Sequence, residues 1–347
     1  MKVLTVLLML CLTIFPVAAQ QVTVFQAAAW SQDGKLLLTI GPNRHLRLHD
    51  GTTGEVIKSV TVPGSATTYE SLGPDSGTEV ENVLWGVEVS GGLAVSADYD
   101  DNFHWWSVPT LEQLGTSRSN YGIVGFNLGG DVVAYTGTSS RYLDSEISWS
   151  RLGPEEIEGA LLPDLPPPDS NYSYGVPGVS PDGHWVMANT DEGVRLWNLS
   201  GPEVTSVLLT QSVVAQERSL GRERYYCLSD GEVLGYRYDA PQSEPLRLNA
   251  GPANHLFVTS DETRLFLQGV TGLKVYDLKS GDLIQTWERE NEPLLHLSPD
   301  GSRGFTVTEN WLECWDIPSQ TRLYRLAIAP DSDRAAERDA RCTGSFG

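Results

Sequence analysis

The sequence predicts an all-β fold, a seven-bladed β-propeller of four-stranded antiparallel blades, on three observations. The phrase VSPDGHWVMANTDEGVRLWNLSG at 179–201 returns, altered, as LSPDGSRGFTVTENWLECWDIPS at 297–319. Looser copies fill the stretch from 25 to 326 as seven units of about 43 residues, the size of a four-stranded blade. No stretch sustains the apolar period of a helix. A sheet of this kind cannot bury both of its faces alone, so seven of them must stack radially on one another and leave a channel on the axis.

Taken in chain order, the first element is MKVLTVLLMLCLTIFPVAAQ, in which Lys2 precedes an apolar run and Val17-Ala18-Ala19 closes it. This pattern, over 1–19, reads as a secretory signal peptide. It is too short to span a bilayer, and no later run is long enough, so no membrane insertion is expected. The protein is expected to be secreted or periplasmic.

The propeller itself is expected over 20–328. Its units start at AAAWSQDGKLLLTI (27), LWGVEVSGGLAVSA (84), VGFNLGGDVVAY (124), VSPDGHWVMAN (179), SVVAQERSLGRERYYCLS (212), HLFVTSDETRLFLQ (255) and LSPDGSRGFTV (297). In the best of them an apolar run meets Ser-x-Asp-Gly, a turn in which Gly tolerates positive φ. A second run, a polar turn, a third run ending in an aromatic and Asp or Asn, and a fourth run follow. QVTVF (21–25) is a candidate to close the ring at the edge of the seventh blade. The tail 329–347, polar and rich in small residues, reads as disordered.

VRLWNLS, LKVYDLKSGDLIQTW, LRLHDGTTGEVIKSV and LECWDIPSQTRLYRL, each behind its polar turn, resemble the blades of divergent WD-repeat propellers of the β-transducin type. The resemblance covers nearly the whole chain after the leader and implies the fold; it does not imply an activity. The Gly-His pair that opens a blade in that family is missing from every copy. An incomplete Asp-His-Ser-Trp network, and blades leaning on apolar packing, are therefore expected.

Composition narrows the partners. With 24 basic and 45 acidic side chains the formal charge is −21, which excludes nucleic acid as a natural partner. Cys227 and Cys314 sit in apolar runs and read as small buried hydrophobes, with Cys342 alone in the tail. There is no nucleophile elbow, zinc helix, phosphate loop or dinucleotide fingerprint.

Where the units differ, function is to be sought. Between the aromatic or equivalent positions His49, Trp106, Trp149, Trp197, Arg237, Tyr276 and Trp315, the first and third intervals are the longest, 57 and 48 residues. They contain TVPGSATTYESLGPDSGTEVEN (61–82) and PDLPPPDSNYSYG (163–175). Together with the turn DYDDN (98–102) these are expected on one face, acidic and aromatic, with Tyr69, Glu70, Asp98, Asp100, Asp101, Asn102, Tyr172 and Tyr174 as the candidate binding residues. A protein or glycan partner, a monomeric state and binding or scaffolding without catalysis are the leading expectation. No cofactor is expected, the alternative being calcium on Asp98, Asp100 and Asn102, which occupy the first, third and fifth places of an EF-hand-like loop but lack its Gly and its closing Glu. The alternative function is a propeller enzyme of quinoprotein or lactonase type, with His296 on the axis. Asn171 and Asn198 begin Asn-x-Ser sequons.

Overall fold

The computed structural model describes residues 27–41, 44–62, 84–98, 101–119, 122–138, 145–152, 160–165, 176–190, 192–210, 217–229, 231–249, 251–288, 294–308 and 311–327. The leader, QVTVF and the tail lie outside them. Seven antiparallel sheets are formed, each of four strands in sequence order. The first holds β1 (Ala28–Trp30), β2 (Leu36–Gly41), β3 (His45–Asp50) and β4 (Val56–Thr61), and the second β5 (Leu84–Ser90), β6 (Leu93–Asp98), β7 (Asn102–Ser107) and β8 (Glu112–Arg118). The third holds β9 (Gly122–Gly129), β10 (Val132–Thr138), β11 (Ser145–Arg151) and β12 (Ala160–Leu161). In the fourth are β13 (Gly178–Val179), β14 (Trp185–Thr190), β15 (Gly193–Asn198) and β16 (Thr205–Thr210). The fifth has β17 (Glu217–Leu220), β18 (Arg224–Ser229), β19 (Glu232–Arg237) and β20 (Leu246–Asn249). The sixth has β21 (His255–Val258), β22 (Arg264–Gly269), β23 (Gly272–Asp277) and β24 (Leu283–Glu288), and the seventh β25 (His296–Leu297), β26 (Arg303–Val307), β27 (Trp311–Asp316) and β28 (Thr321–Ala327). The fold is the seven-bladed propeller.

The repeated phrase is turn chemistry. In four blades a hydroxyl at the end of the innermost strand donates to the Asp two residues on: Ser31 to Asp33 at 2.9 Å, Ser180 to Asp182 at 2.5 Å, Thr259 to Asp261 at 2.7 Å and Ser298 to Asp300 at 2.6 Å. The same oxygen accepts the backbone N–H that starts the second strand, from Leu36, Trp185, Arg264 and Arg303. Each hydroxyl thus satisfies a backbone donor that the tight turn would strand. The Asp that ends the third strand does similar work one turn later. Asp50 accepts from the N–H of Thr52 and Thr53, Asp277 from Lys279 and Ser280, and Asp316 from Ser319.

Strand alternation sends neighbouring residues to opposite sides of a blade, and seven apolar clusters fill the seven interfaces. Trp106 packs with Leu38, Leu46 and Leu48 of the first blade, while adjacent Trp105 packs with Phe126, Val133 and Tyr135 of the third. Val179, Val186 and Trp197 meet the third blade, and Met187, Val194 and Leu196 meet the fifth. Two further clusters join the fifth blade to the sixth and the sixth to the seventh. Trp30 and Leu37 of the first blade close the ring against Phe305, Leu312, Cys314 and Tyr324 of the last. Among the described residues the seventh sheet takes its outer strand from β28, so this seam is held by side chains. Both Cys227 and Cys314 are buried free thiols inside interfaces, and burial pushes the Cys227 thiol up to about 11, far from a reactive thiolate.

Candidate functional site

Because each blade is a four-strand meander, its second-to-third turn and its exit to the next blade emerge at the same end of the ring. Counted between strand bounds, the exits from the first and third blades are 22 and 16 residues long, against 3 to 7 for the other four. The second-to-third turn of the third blade, at 6 residues, is also the longest of its kind, the others having 2 or 3. The excess length on this face therefore comes from the first and third blades, on either side of the second. Tyr69, Glu70, Asp100, Tyr172 and Tyr174 belong to this excess and to the neighbouring turn, and lie outside the described residues.

Asp98, Asp101 and Asn102 are described, and they form the floor of that face. The side chain of Asp98 has no exposure, and its Oδ2 is 3.0 Å from Nη2 of Arg44 and 3.1 Å from Nε2 of His104. Asn102 donates to Asp98 through its backbone N–H at 3.0 Å and its side-chain amide at 3.1 Å. Desolvation works to raise the pKa of this carboxyl, but the bonds from His104, Asn102 and Arg44 outweigh it and hold it at about 2. Asp101 takes the left-handed conformation, φ 63°, and ties the turn to the entry of the third blade: its carbonyl accepts from Ser119 N–H and its carboxylate from Ile123 N–H. These residues shape the face through bonds inside the fold. The oxygens of Asp98 that a calcium ion would need are already bonded to a guanidinium, an imidazole and an amide.

Beside this hub, Trp106 donates its indole N–H to Ser96 at 3.0 Å. Trp315 does the same to Thr306 at 3.2 Å, and in the first blade His49 stands in the aromatic place and bonds Thr39 at 2.9 Å. The second blade thus assembles an Asp-His pair beside a Ser-Trp pair, with its imidazole drawn from β7 rather than from a Gly-His pair ahead of the blade. Trp197, which faces Ala188 where the others face a hydroxyl, donates instead to the carbonyl of Pro163 at 2.8 Å.

The second candidate site is the axis. A cavity of about 280 Å³ is bordered by residues of all seven innermost strands, among them Ala29, Glu88, Leu128, Val179, Leu220, Val258 and Leu297. His296 lines it, stacked on Phe305 at 4.8 Å, and also lines a smaller cavity shared with His255. His296 is open to the cavity, and desolvation by the surrounding protein with the neighbouring His255 lowers its pKa, which favours the neutral imidazole. Glu88 is the ionisable residue that sequence reasoning passed over. Partly open to the cavity yet ringed by protein, its carboxyl is raised by desolvation to about 7. The signal was present in VEVS, an acid in the middle of an innermost strand, at the register that holds Ala29 in the first blade and His296 in the seventh.

No family model matches the chain, and no curated protein matches it in sequence.

Proposed function

We propose that this chain is a secreted or periplasmic, divergent WD-like propeller that works as a binding or scaffolding module, recognising a protein or glycan partner through the face built by its first three blades. One observation carries the reading: the two longest connections of the ring, the exits of the first and third blades, open at the same end, on either side of the second blade. Long connections in a compact domain are more often functional than idle, and the Asp98 hub gives them a rigid base. The Trp-to-hydroxyl bonds of the second and seventh blades, and the Asp-capped turns, support the WD-like kinship. An axial enzyme site would gather several convergent polar groups. The cavity walls hold one Glu, one His and one Gln among Ala, Val, Leu, Phe, Trp, Pro and Ser, which favours binding over chemistry.

The test is a cross-linking capture from native envelope and medium, with the leaderless protein beside a version shortened within 64–82 and 166–175. Residues 162–165 must stay, because Leu162 is core and Asp164 accepts from Ser206 at 2.8 Å. A partner held by the full version and lost by the shortened one is the expected result. Equal capture by both would remove these connections as the recognition surface.

A further inference from the structure

The axial cavity has walls whose chemistry is unbalanced. Its lining is apolar and aromatic over most of its area, through Ala28, Trp30, Leu128, Phe257, Val258 and Leu297. Two of its hydroxyls are already engaged with backbone: Ser90 accepts from Gly130 N–H at 2.8 Å and Ser219 from Val258 N–H at 3.0 Å. Among the described residues the Glu88 carboxyl, in contrast, has no hydrogen-bond or ion-pair partner, and desolvation raises its pKa. A carboxyl left without a partner in such a place is costly, and a ligand that neutralises it recovers that cost.

We propose that the axial cavity is a binding site for a small organic ammonium ion, whose charge meets Glu88 and whose apolar body lies against the inner-strand side chains.

Other ligand classes fit the walls less well. A hard divalent cation wants six or more oxygens, and one carboxylate with a neutral imidazole in the same cavity does not supply them. Among the described residues no group of three or more His, Cys, Asp or Glu is placed to hold a metal. An anion would meet Glu88 and a chain of formal charge −21. A polyol would need polar groups along most of the wall, whereas beyond Glu88, His296, Gln32 and three serines the lining is Ala, Val, Leu, Phe, Trp and Pro. An ammonium ion carrying an apolar group finds its counter-charge on Glu88, an acceptor in neutral His296, and aromatic faces of the kind that attract cations. Ala29, on the blade between those of Glu88 and His296, is small and leaves the space between the two residues open, and at the same register of the fourth blade a Cβ on Gly178 would stand 2.3 Å from Leu220 Cδ1.

Binding must be linked to protons. Glu88 and His296 are the ionisable residues lining the cavity, with His255 beside His296. Protonating Glu88 removes the counter-charge and protonating His296 adds repulsion, so both groups weaken the site as pH falls.

The experiment is titration calorimetry of the full leaderless protein with benzylamine, protonated at both pH values used, and with benzyl alcohol as the neutral isostere. Benzylamine is expected to bind at pH 8, with the alcohol at least about tenfold weaker, the worth of roughly 1.4 kcal/mol. The amine is expected to weaken at pH 5.5, and Glu88→Gln to weaken it about tenfold or more at pH 8. Intrinsic tryptophan fluorescence reports whether that variant is folded; if it is not, the two probes and two pH values on the unaltered protein decide alone. Equal binding of amine and alcohol, an unaltered affinity in a folded E88Q protein, or no amine binding up to about 10 mM overturns the site. Loss of the 64–82 and 166–175 connections leaves amine binding in place, which separates this site from the recognition face.

Discussion

Nη2 of Arg44 lies 3.0 Å from Oδ2 of Asp98, and the pair joins a turn of the first blade to a turn of the second. Arg44 also donates through Nε to the carbonyl of Val62 at 3.0 Å, so one guanidinium fixes both the neighbouring turn and the start of the long exit from its own blade. The two side chains are 10% and 0% exposed, so water cannot replace either partner. Arg44→Leu strands a buried carboxylate and is expected to cost about 3–5 kcal/mol in urea unfolding. Adding Asp98→Asn to it should recover part of that loss, because the stranded charge is gone. A single-variant cost below about 1 kcal/mol would show that the turns are fixed by something else.

Acid should unfold the protein in two stages with different owners. His49 is buried at the first interface, and desolvation lowers its pKa to about 4, against a bond to the Gly54 carbonyl that favours charge and with Arg47 adding repulsion. Its folded pKa lies below the unfolded value near 6.5, so the unfolded chain takes up the proton first. The contribution of neutral His49 is complete above about pH 6.5 and is lost as pH falls toward 4, on the order of 2–3 kcal/mol. Asp98, held at about 2, then contributes above about pH 4 and is lost between 4 and 2, on the order of 2 kcal/mol. Unfolding free energies measured from pH 8 to 2 should therefore show a flatter upper stage in His49→Phe and a flatter lower stage in Asp98→Asn. Parallel curves for all three proteins would mean that neither group carries the acid sensitivity.

The blade count, the strand order and most strand positions were legible because the phrase repeats turn chemistry, and turn chemistry is local: Ser298, Asp300 and Gly301 are neighbours in the chain and in space. Alternation along a strand is equally local, and it sends adjacent Trp105 and Trp106 to opposite interfaces. The hub at Asp98 was only half legible. DYDDN announced an acidic turn, but the guanidinium that occupies it comes from Arg44, 54 positions earlier and one blade away. Nothing in local spacing links the two. The axis was less legible still, since a cavity wall takes one to three residues from each of seven strands, and Glu88 became noticeable only when aligned with Ala29 and His296 around the ring.

The tryptophan bonds separate blades that look alike in sequence. Trp106 is buried and has Ser96 as its hydrogen-bond partner, so Ser96→Ala leaves an indole N–H with nothing to donate to inside an interface. A loss of about 1–3 kcal/mol is expected in urea unfolding. Ser96→Thr keeps the hydroxyl, as Thr39 and Thr306 do at the same register, and should recover most of it. If Ala and Thr cost the same, packing volume rather than the hydrogen bond governs the position.

The seam between the last blade and the first is the final case, because among the described residues it is the interface that no covalent connection crosses. Trp30 and Phe305 meet there with ring centroids 6.3 Å apart, inside the cluster that also holds Leu37, Leu312, Cys314 and Tyr324. At every other interface an opened pair of blades remains tethered through the chain and can reclose as a short-range event. At the seam, opening separates the two ends of the ring. Phe305→Ala and Phe103→Ala remove the same ring from two interfaces, the seam and the second-to-third, and each is expected to cost about 3–5 kcal/mol of global stability. Their local consequences should differ. In Phe305→Ala, native-state hydrogen exchange should accelerate first in β2 and β26, the strands that carry the seam, while β14 and β15 on the far side of the ring stay protected. In Phe103→Ala, protection should fall together across the ring, because the tether makes opening there no easier than global unfolding. Matching exchange patterns in the two variants would mean that the seam has a closure beyond its side chains, and residues 21–25 would then be the segment to delete next.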